Sequence, residues 1–144
     1  MSSLAEAFGD GSIELDVEVA DWRGAIEAAG AALVASGRTR VEYTASMIRS
    51  VENNGPYIVI APGVALAHAA ISPEVLAAGF SLVRLRQPVE FGEAGDVALL
   101  FALAALASDS HAALMAEFAA WLTHFDQINF LLNAVDEAEI RRSF

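Results

Sequence analysis

The sequence predicts an α/β fold, a single domain in which one mixed β-sheet is covered by helices on both faces. Three observations lead to this expectation: a segment of alternating apolar and acidic residues (13–19), an almost uninterrupted apolar stretch (97–107), and segments with helix caps between and after them. Strands that alternate with helices along a chain are typical of a sheet with helices packed on it. The 144 residues fit one domain, which we place at residues 1–144.

Two helices are expected after the alternating strand. Asp21 and Thr39 have side chains that cap helices, and the helices that follow them should run to about Ala35 and Val51. The segment Asn53-Asn54-Gly55-Pro56 should end the second helix. Glycine suits the residue after a helix, and proline cannot continue one.

The segment 55–69, GPYIVIAPGVALAHA, is the most informative part of the chain. It predicts a turn at Gly55-Pro56, a buried strand at 57–61, a Pro62-Gly63 break and a short apolar run that leads to His68. Where a strand leaves the core, a histidine can expose one ring nitrogen while a backbone carbonyl holds the other. A nucleophilic histidine needs this arrangement, because its reactive lone pair must face outward in one tautomer. Without further context, a structural histidine is the commoner interpretation.

Two more strands are expected in the second half of the chain. Residues 80–86 alternate, with Arg84 and Arg86 on one side of the strand, where we expect both to be exposed. A pair of cations that faces a partner protein is the alternative for these two arginines. Gln87-Pro88 should break this strand. The apolar stretch 97–107 should be a strand that is buried on both faces.

The last part of the chain is expected to be helical. Ser108-Asp109-Ser110 should open a helix from His111 to about His124, and Asp126 should cap another helix, followed by a last helical segment at 137–142. The apolar stripe of the helix after Asp126 is predicted to contain Ile128, Leu131, Leu132 and Val135.

His111 is then expected in the first turn of its helix. Free N–H groups and the helix dipole make such a turn an anion site, with Asp109 and Ser110 as backbone candidates. If folding brings this turn to His68, the two histidines and the amides would surround a phosphoryl group. A helix start that has no functional role is the alternative.

Composition excludes several classes of function. The formal net charge is −11, from 19 acidic and 8 basic residues, and none of the basic residues is lysine. Nucleic-acid binding is therefore not expected, because phosphate backbones are bound by clustered lysine and arginine. A nucleotide-binding P-loop is excluded, because it requires a lysine. The absence of cysteine excludes disulfides, thiolate metal sites and cysteine nucleophiles. We expect no metal and no cofactor, since the histidines lack metal-ligand spacing.

The chain is expected to be cytoplasmic and not inserted in a membrane. Its start lacks a basic region followed by a long apolar one, so no signal peptide is predicted. The longest apolar run, 97–107, is shorter than the roughly 20 residues of a membrane-spanning helix.

The segment that ends in His68-Ala69 resembles the phosphorylation-site segment of enzyme IIA of the bacterial sugar phosphotransferase system (PTS). The mannitol/fructose superfamily (type 2) is the match, and its ascorbate branch, with Gly-Pro-Tyr and then Ala-Pro-Gly, is the most similar. Further matches follow in order at 79–85, 88–92 and 108–111, with Tyr43 and Met47 upstream. The similarity spans roughly residues 13 to 135.

The resemblance implies a phosphotransferase/anion-transport-protein-like fold and a phosphocarrier function. It implies that His68 accepts a phosphoryl group through Nε2 from phospho-HPr and passes it to a cysteine of a IIB component. It also implies that His111 stabilises the phosphoryl group without carrying it. A regulatory module that has the same fold and signals by binding a partner is the alternative function.

The sequence departs from the family pattern beside His68. The proline that often precedes the active histidine is Ala67 here, and the arginine that often follows is replaced by Ala70-Ile71. The roles of an upstream arginine and glutamate in mannitol-type members are not transferred to Arg49 and Glu52, because the register differs. A missing pocket cation is consistent with a different partner or sugar, or with weaker phosphotransfer.

Overall fold

The protein forms a five-stranded mixed sheet with helices on both faces, as the sequence predicts. The structure, a computed structural model, describes residues 3–106 and 108–144, and for residues 108–111 it describes the backbone alone. The strands are β1 (Ile13–Val17), β2 (Val59–Ala61), β3 (Gly63–Ala67), β4 (Gly79–Glu90) and β5 (Asp96–Ala104). The helices are α1 (Ser3–Ala7), α2 (Trp22–Ala35), α3 (Val41–Asn54), α4 (Ser108–Leu122), α5 (Gln127–Asn133) and α6 (Glu137–Arg141).

The strand order is β1-β4-β5-β3-β2. β1 is parallel to β4, and β3 is parallel to β5, whereas β4 with β5 and β2 with β3 are antiparallel pairs. The carboxyl ends of β3 and β5 therefore lie at the same edge of the sheet, with Ala67 of β3 paired with Ala102 of β5. The chain that leaves each of these two strands begins at this edge.

The core has two layers, one on each face of the sheet. Helices α2 and α3 pack on one face, and α1, α4, α5 and α6 pack on the other. Leu100 of β5 faces the first layer, and its neighbours Leu99 and Phe101 face the second. β5 is thus buried on both faces, as predicted for 97–107, although it ends at Ala104.

The prediction of a buried strand at 57–61 was wrong. β2 is a short strand and the outermost one in the strand order, with Ile60 half exposed, whereas β3 is the buried strand that precedes His68. β2 is more exposed because, among the described residues, it has a neighbouring strand on one side only. The sequence pattern does not show which of two adjacent apolar runs lies inside a sheet.

Arg84 was wrongly expected to be exposed. It is buried on β4, and its guanidinium donates to the carbonyl oxygens of Leu131 (3.1 Å) and Ala134 (2.7 Å). Asp16 forms an ion pair with it at 3.3 Å. Arg86 is exposed as predicted. Arg84 is buried because the end of α5 packs over it and offers carbonyl oxygens to its charge.

The remaining boundaries show both confirmed and wrong predictions. Asp21 caps α2, its carboxylate accepting from the N–H of Gly24. Thr39 does not cap α3, because the cap is Arg40, and Thr39 is bridged to Val75. β4 runs through Pro88 without a break and has a register shift there, an arrangement that tolerates proline.

The structure also differs from the expectations near both ends of the chain. In the stripe predicted after Asp126, Leu131 is buried, but Leu132 and Val135 are exposed. α5 ends at Asn133, so that Val135 lies beyond the helix. The sequence did not predict α1, which is only five residues long.

Among the described residues, no helix is long and apolar enough to cross a membrane.

Candidate functional site

His68 follows directly after β3, at the edge where the carboxyl ends of β3 and β5 lie. Its ring is partly buried, and its Nδ1 lies 3.0 Å from the carbonyl oxygen of Leu66. A carbonyl oxygen only accepts, so this hydrogen bond requires the proton on Nδ1. In the neutral ring, Nε2 then carries the free lone pair. The expectation of one ring nitrogen held by a backbone carbonyl is met.

A second aromatic ring contacts His68. The rings of Tyr57 and His68 are perpendicular, with centroids 5.5 Å apart. The hydroxyl of Tyr57 lies 2.7 Å from Oγ of Ser50, which is in the last turns of α3. Sequence reasoning did not identify Tyr57 or Ser50 as site residues. Tyr57 belongs to the Gly-Pro-Tyr motif, which was the available signal.

The turn at Gly55 brings Tyr57 back to α3. Gly55 has φ 83° and ψ −173°, a conformation that only glycine adopts readily. Its N–H donates to the carbonyl of Val51 at 2.8 Å and closes the helix. Pro56 prevents the helix from continuing. The chain therefore reverses within a few residues, and Tyr57 comes to lie beside Ser50.

Tyr43 holds the backbone on the other side of His68. It is buried in α3, and its hydroxyl accepts from the N–H of Ala69 (3.0 Å) and donates to the carbonyl of Leu103 (2.7 Å). Burial raises the pKa of the Tyr43 hydroxyl, against the opposing effect of its hydrogen bond with the Ala69 backbone. One buried hydroxyl thus joins the residue after His68 to the end of β5.

The second predicted histidine lies in the first turn of α4. The helix begins at Ser108, so Ser108-Asp109-Ser110 form this turn themselves instead of preceding the helix. The side chains of Asp109, Ser110 and His111 lie outside the described part of the structure. β5 ends at Ala104, and α4 therefore starts a few residues beyond the edge at which His68 lies.

Arg49 and Glu52 have partners of their own. The guanidinium of Arg49 donates to Oγ of Ser46, and Glu52 forms an ion pair with Arg23 at 2.8 Å. Neither of these two contacts involves His68. In the part of the chain that the structure describes, no group of three or more His, Cys, Asp or Glu side chains could hold a metal ion.

Apolar side chains are exposed around this edge. Tyr57, Ile71 and Leu106 are each about half exposed. Ile71 follows His68 in the chain, and Leu106 follows β5.

Comparison with known proteins agrees with this fold. The model of the family described as "Phosphoenolpyruvate-dependent sugar phosphotransferase system, EIIA 2" matches residues 6–144. The ascorbate-specific PTS system EIIA component of Escherichia coli (strain K12) is 37% identical over 111 residues, which are 76% of this chain and 70% of that protein. The mannitol-specific cryptic phosphotransferase enzyme IIA component of the same strain is 32% identical over 138 residues, 95% of this chain and 94% of that protein.

A solved structure shows the same architecture. The crystal structure of a putative PTS IIA from Streptococcus mutans superposes with a TM-score of 0.90 at 33% sequence identity, covering 99% of this chain and 92% of that one. The family match covers nearly the whole chain, and relatives above 30% identity extend over most of it. The chain therefore belongs to the type 2 EIIA family of the phosphoenolpyruvate-dependent sugar phosphotransferase system.

Proposed function

We propose that this protein is a phosphocarrier that accepts a phosphoryl group on Nε2 of His68 from phospho-HPr and passes it to a cysteine of a IIB component. The observation that carries the proposal is the contact of 3.0 Å between Nδ1 of His68 and the carbonyl of Leu66. With the proton held on Nδ1, the Nε2 lone pair is the available nucleophile. Membership of the EIIA family supports the same role.

The transfer is written in two displacements. In the first, the Nε2 lone pair attacks phosphorus, the N–P bond to the HPr nitrogen breaks, and its electron pair returns to HPr. The His68 ring becomes cationic, and the Leu66 carbonyl stabilises the proton on Nδ1. In the second, a IIB thiolate attacks phosphorus, and the Nε2–P bond breaks, which restores the neutral ring. Positioning and charge stabilisation are the main requirements of such transfers.

The exposed apolar residues at this edge support docking of two successive proteins. Ile71, three residues after His68, and Leu106, two residues after β5, are each about half exposed and offer apolar surface. Aromatic and aliphatic side chains dominate the centres of protein interfaces. The negative formal charge of −11 favours approach of a partner with a basic surface. An ascorbate-like carbohydrate is the proposed cargo, because the ascorbate-specific relatives are 35–37% identical to this chain.

Labelling with enzyme I, HPr and phosphoenolpyruvate tests the phosphocarrier proposal. We expect one acid-labile, alkali-stable label on the wild type and none on His68→Ala, which should remain folded by circular dichroism. Label that persists in His68→Ala would contradict the role of His68. Absence of label on the wild type would favour the regulatory module. Transfer to the IIB of an ascorbate transporter, compared with a mannitol IIB, tests the cargo.

We propose that His111 stabilises the phosphoryl group without accepting it. His111→Ala should therefore still be labelled, but more slowly. Loss of one donor to a developing oxyanion at a site open to solvent should raise the barrier by about 1–2 kcal/mol, or slow transfer roughly 5- to 30-fold. His111→Gln retains a donor and should recover part of the rate. An unchanged rate in His111→Ala would assign the Ser108–Ser110 segment to helix formation alone.

A further inference from the structure

Tyr57 and Ser50 form a pair beside His68 to which the phosphotransfer role assigns nothing. The Tyr57 ring meets the imidazole edge to face at 5.5 Å, with an interplanar angle of 90°. Its hydroxyl lies 2.7 Å from Oγ of Ser50. The ring is thus held at both ends, by α3 at the hydroxyl and by the turn at Gly55-Pro56 at the backbone. A ring held in this way can restrict the rotation of a ring against which it packs.

The Leu66 carbonyl by itself holds one atom of the imidazole. Rotation of the ring about its Cβ–Cγ bond would break this single contact, because Nδ1 would leave the carbonyl oxygen. A perpendicular aromatic neighbour opposes such rotation, since turning the imidazole would break the favourable edge-to-face contact. The two contacts together define both the tautomer and the ring plane of His68.

We propose that Tyr57, held by Ser50, is a positioning residue that keeps the His68 ring in the orientation in which Nε2 is the nucleophile. The expected effect on the transfer rate rests on the proposed phosphocarrier function. The expected effect on the His68 tautomer does not, because it concerns the unphosphorylated protein. In this role Tyr57 acts through the imidazole ring and takes no part in making or breaking bonds. Ser50 acts one step further away, through the tyrosine hydroxyl.

The first test measures the tautomer of His68 in the unphosphorylated protein. Ring nitrogen chemical shifts, measured by NMR on histidine-labelled protein, report which nitrogen carries the proton. We expect the wild type to show the form with the proton on Nδ1, and Tyr57→Ala to show a larger share of the other tautomer. An unchanged tautomer ratio in a folded Tyr57→Ala protein would overturn the proposal. This measurement needs no phosphoryl donor, so it stands even if the wild type is never labelled.

The second test separates positioning from docking, because Tyr57 is also half exposed. The rate of transfer from phospho-HPr is measured over a range of HPr concentrations. Tyr57→Ala should lower the maximal rate roughly 2- to 10-fold, the effect of losing an aromatic pair, with little change in the half-saturating concentration. A change confined to the half-saturating concentration would make Tyr57 a docking residue and overturn the proposal.

A double-mutant cycle tests the part played by Ser50. Tyr57→Phe and Ser50→Ala each remove the same hydrogen bond, so each should lower the maximal rate about 2- to 3-fold. The double variant should be no slower than either single variant, because the two residues act as one unit. Fully additive losses would show that Ser50 and Tyr57 act separately, and would overturn the pairing. Ser46→Ala is the matched control, since Ser46 is on α3 one turn earlier and contacts Glu42 and Arg49 instead.

Discussion

At the scale of the residue, the site depends on backbone groups as much as on side chains. The Leu66 carbonyl sets the tautomer of His68, and the hydroxyl of Tyr43 holds the N–H of Ala69 immediately afterwards. The His68 ring is therefore held by the strand that precedes it, and the backbone of the next residue is held from α3. A change in either contact should alter the position of Nε2 without removing the histidine.

The buried hydroxyl of Tyr43 should contribute to the stability of the fold. Tyr43→Phe leaves the N–H of Ala69 and the carbonyl of Leu103 without this partner, which should lower the free energy of unfolding by about 1–3 kcal/mol. Urea denaturation measures the change. Tyr57→Phe is the control, because the Tyr57 hydroxyl lies at an exposed contact and its loss should change stability by no more than about 0.5 kcal/mol. Equal losses of stability in Tyr43→Phe and Tyr57→Phe would contradict a special contribution of the buried Tyr43 hydroxyl.

The raised pKa of Tyr43 predicts a fall in stability at alkaline pH. Burial raises this pKa above 10.0, its ordinary value. Above about pH 10, the unfolded chain loses a proton that the folded protein still retains, so the unfolded state binds fewer protons. The free energy of unfolding should then decrease as the pH rises through this range. Urea midpoints on both sides of about pH 10 should fall more steeply for the wild type than for Tyr43→Phe. Equal slopes would exclude Tyr43 as the cause.

At the scale of the element, Arg84 joins α5 to the sheet. Its guanidinium donates to the last carbonyls of this short helix, at Leu131 and Ala134, and pairs with Asp16. Asp16 lies at a register shift in β1 and has φ 56°, a conformation that aspartate tolerates better than most residues. Asp16, at the irregular position of β1, is the only carboxylate among the described residues that forms an ion pair with Arg84.

The prediction for this element compares two arginines of β4. Arg84→Met removes hydrogen bonds to two buried carbonyls and should lower the free energy of unfolding by about 1.5–3 kcal/mol. Arg86→Met is the matched control two positions along β4. It should change stability by no more than about 0.5 kcal/mol, because the Arg86 side chain is 59% exposed and its ion pair with Glu18 spans 3.9 Å. Thermal or urea unfolding measures both variants. Similar effects of the two substitutions would contradict the role of Arg84 in holding α5 on the sheet.

At the scale of the whole molecule, the carboxyl ends of the parallel strands β3 and β5 lie together between the two helical layers, and His68 directly follows β3 there. The chain carries 19 acidic side chains against 8 basic ones. Mutual repulsion of this excess opposes the compact state.

The excess of negative charge predicts that salt stabilises the folded protein. Raising sodium chloride from low concentration to about 0.15 M shortens the screening length to about 8 Å and weakens repulsion between the carboxylates. The melting temperature at neutral pH should rise by a few degrees, as measured by calorimetry. The same titration near pH 4, where many carboxylates are protonated, is the control and should give a smaller rise. A melting temperature that falls with salt at neutral pH would show that the ion pairs matter more than the net repulsion.

The sequence by itself determined the features that depend on neighbouring residues. The cap at Asp21, the end of α3 at Gly55-Pro56 and the burial of β5 on both faces were all predicted, because capping, turn formation and apolar runs act over a few positions. The resemblance around His68 predicted the family, which the comparisons confirm. The sequence also predicted that His68 lies where an apolar run leaves the core. The structure shows that this run is the strand β3.

Only the tertiary structure decided the contacts that hold the backbone after His68 and bury Arg84. Tyr43 lies 60 positions from Leu103, and Arg84 lies 50 positions from Ala134, so no local pattern joins them. Whether an apolar run becomes an edge strand or an interior strand depends on the strand order, which sequence alternation does not encode. Arg84 looked like an exposed strand residue because its partners are carbonyls of a distant helix. Burial of a charge is a property of the groups that surround it, and packing alone brings those groups together.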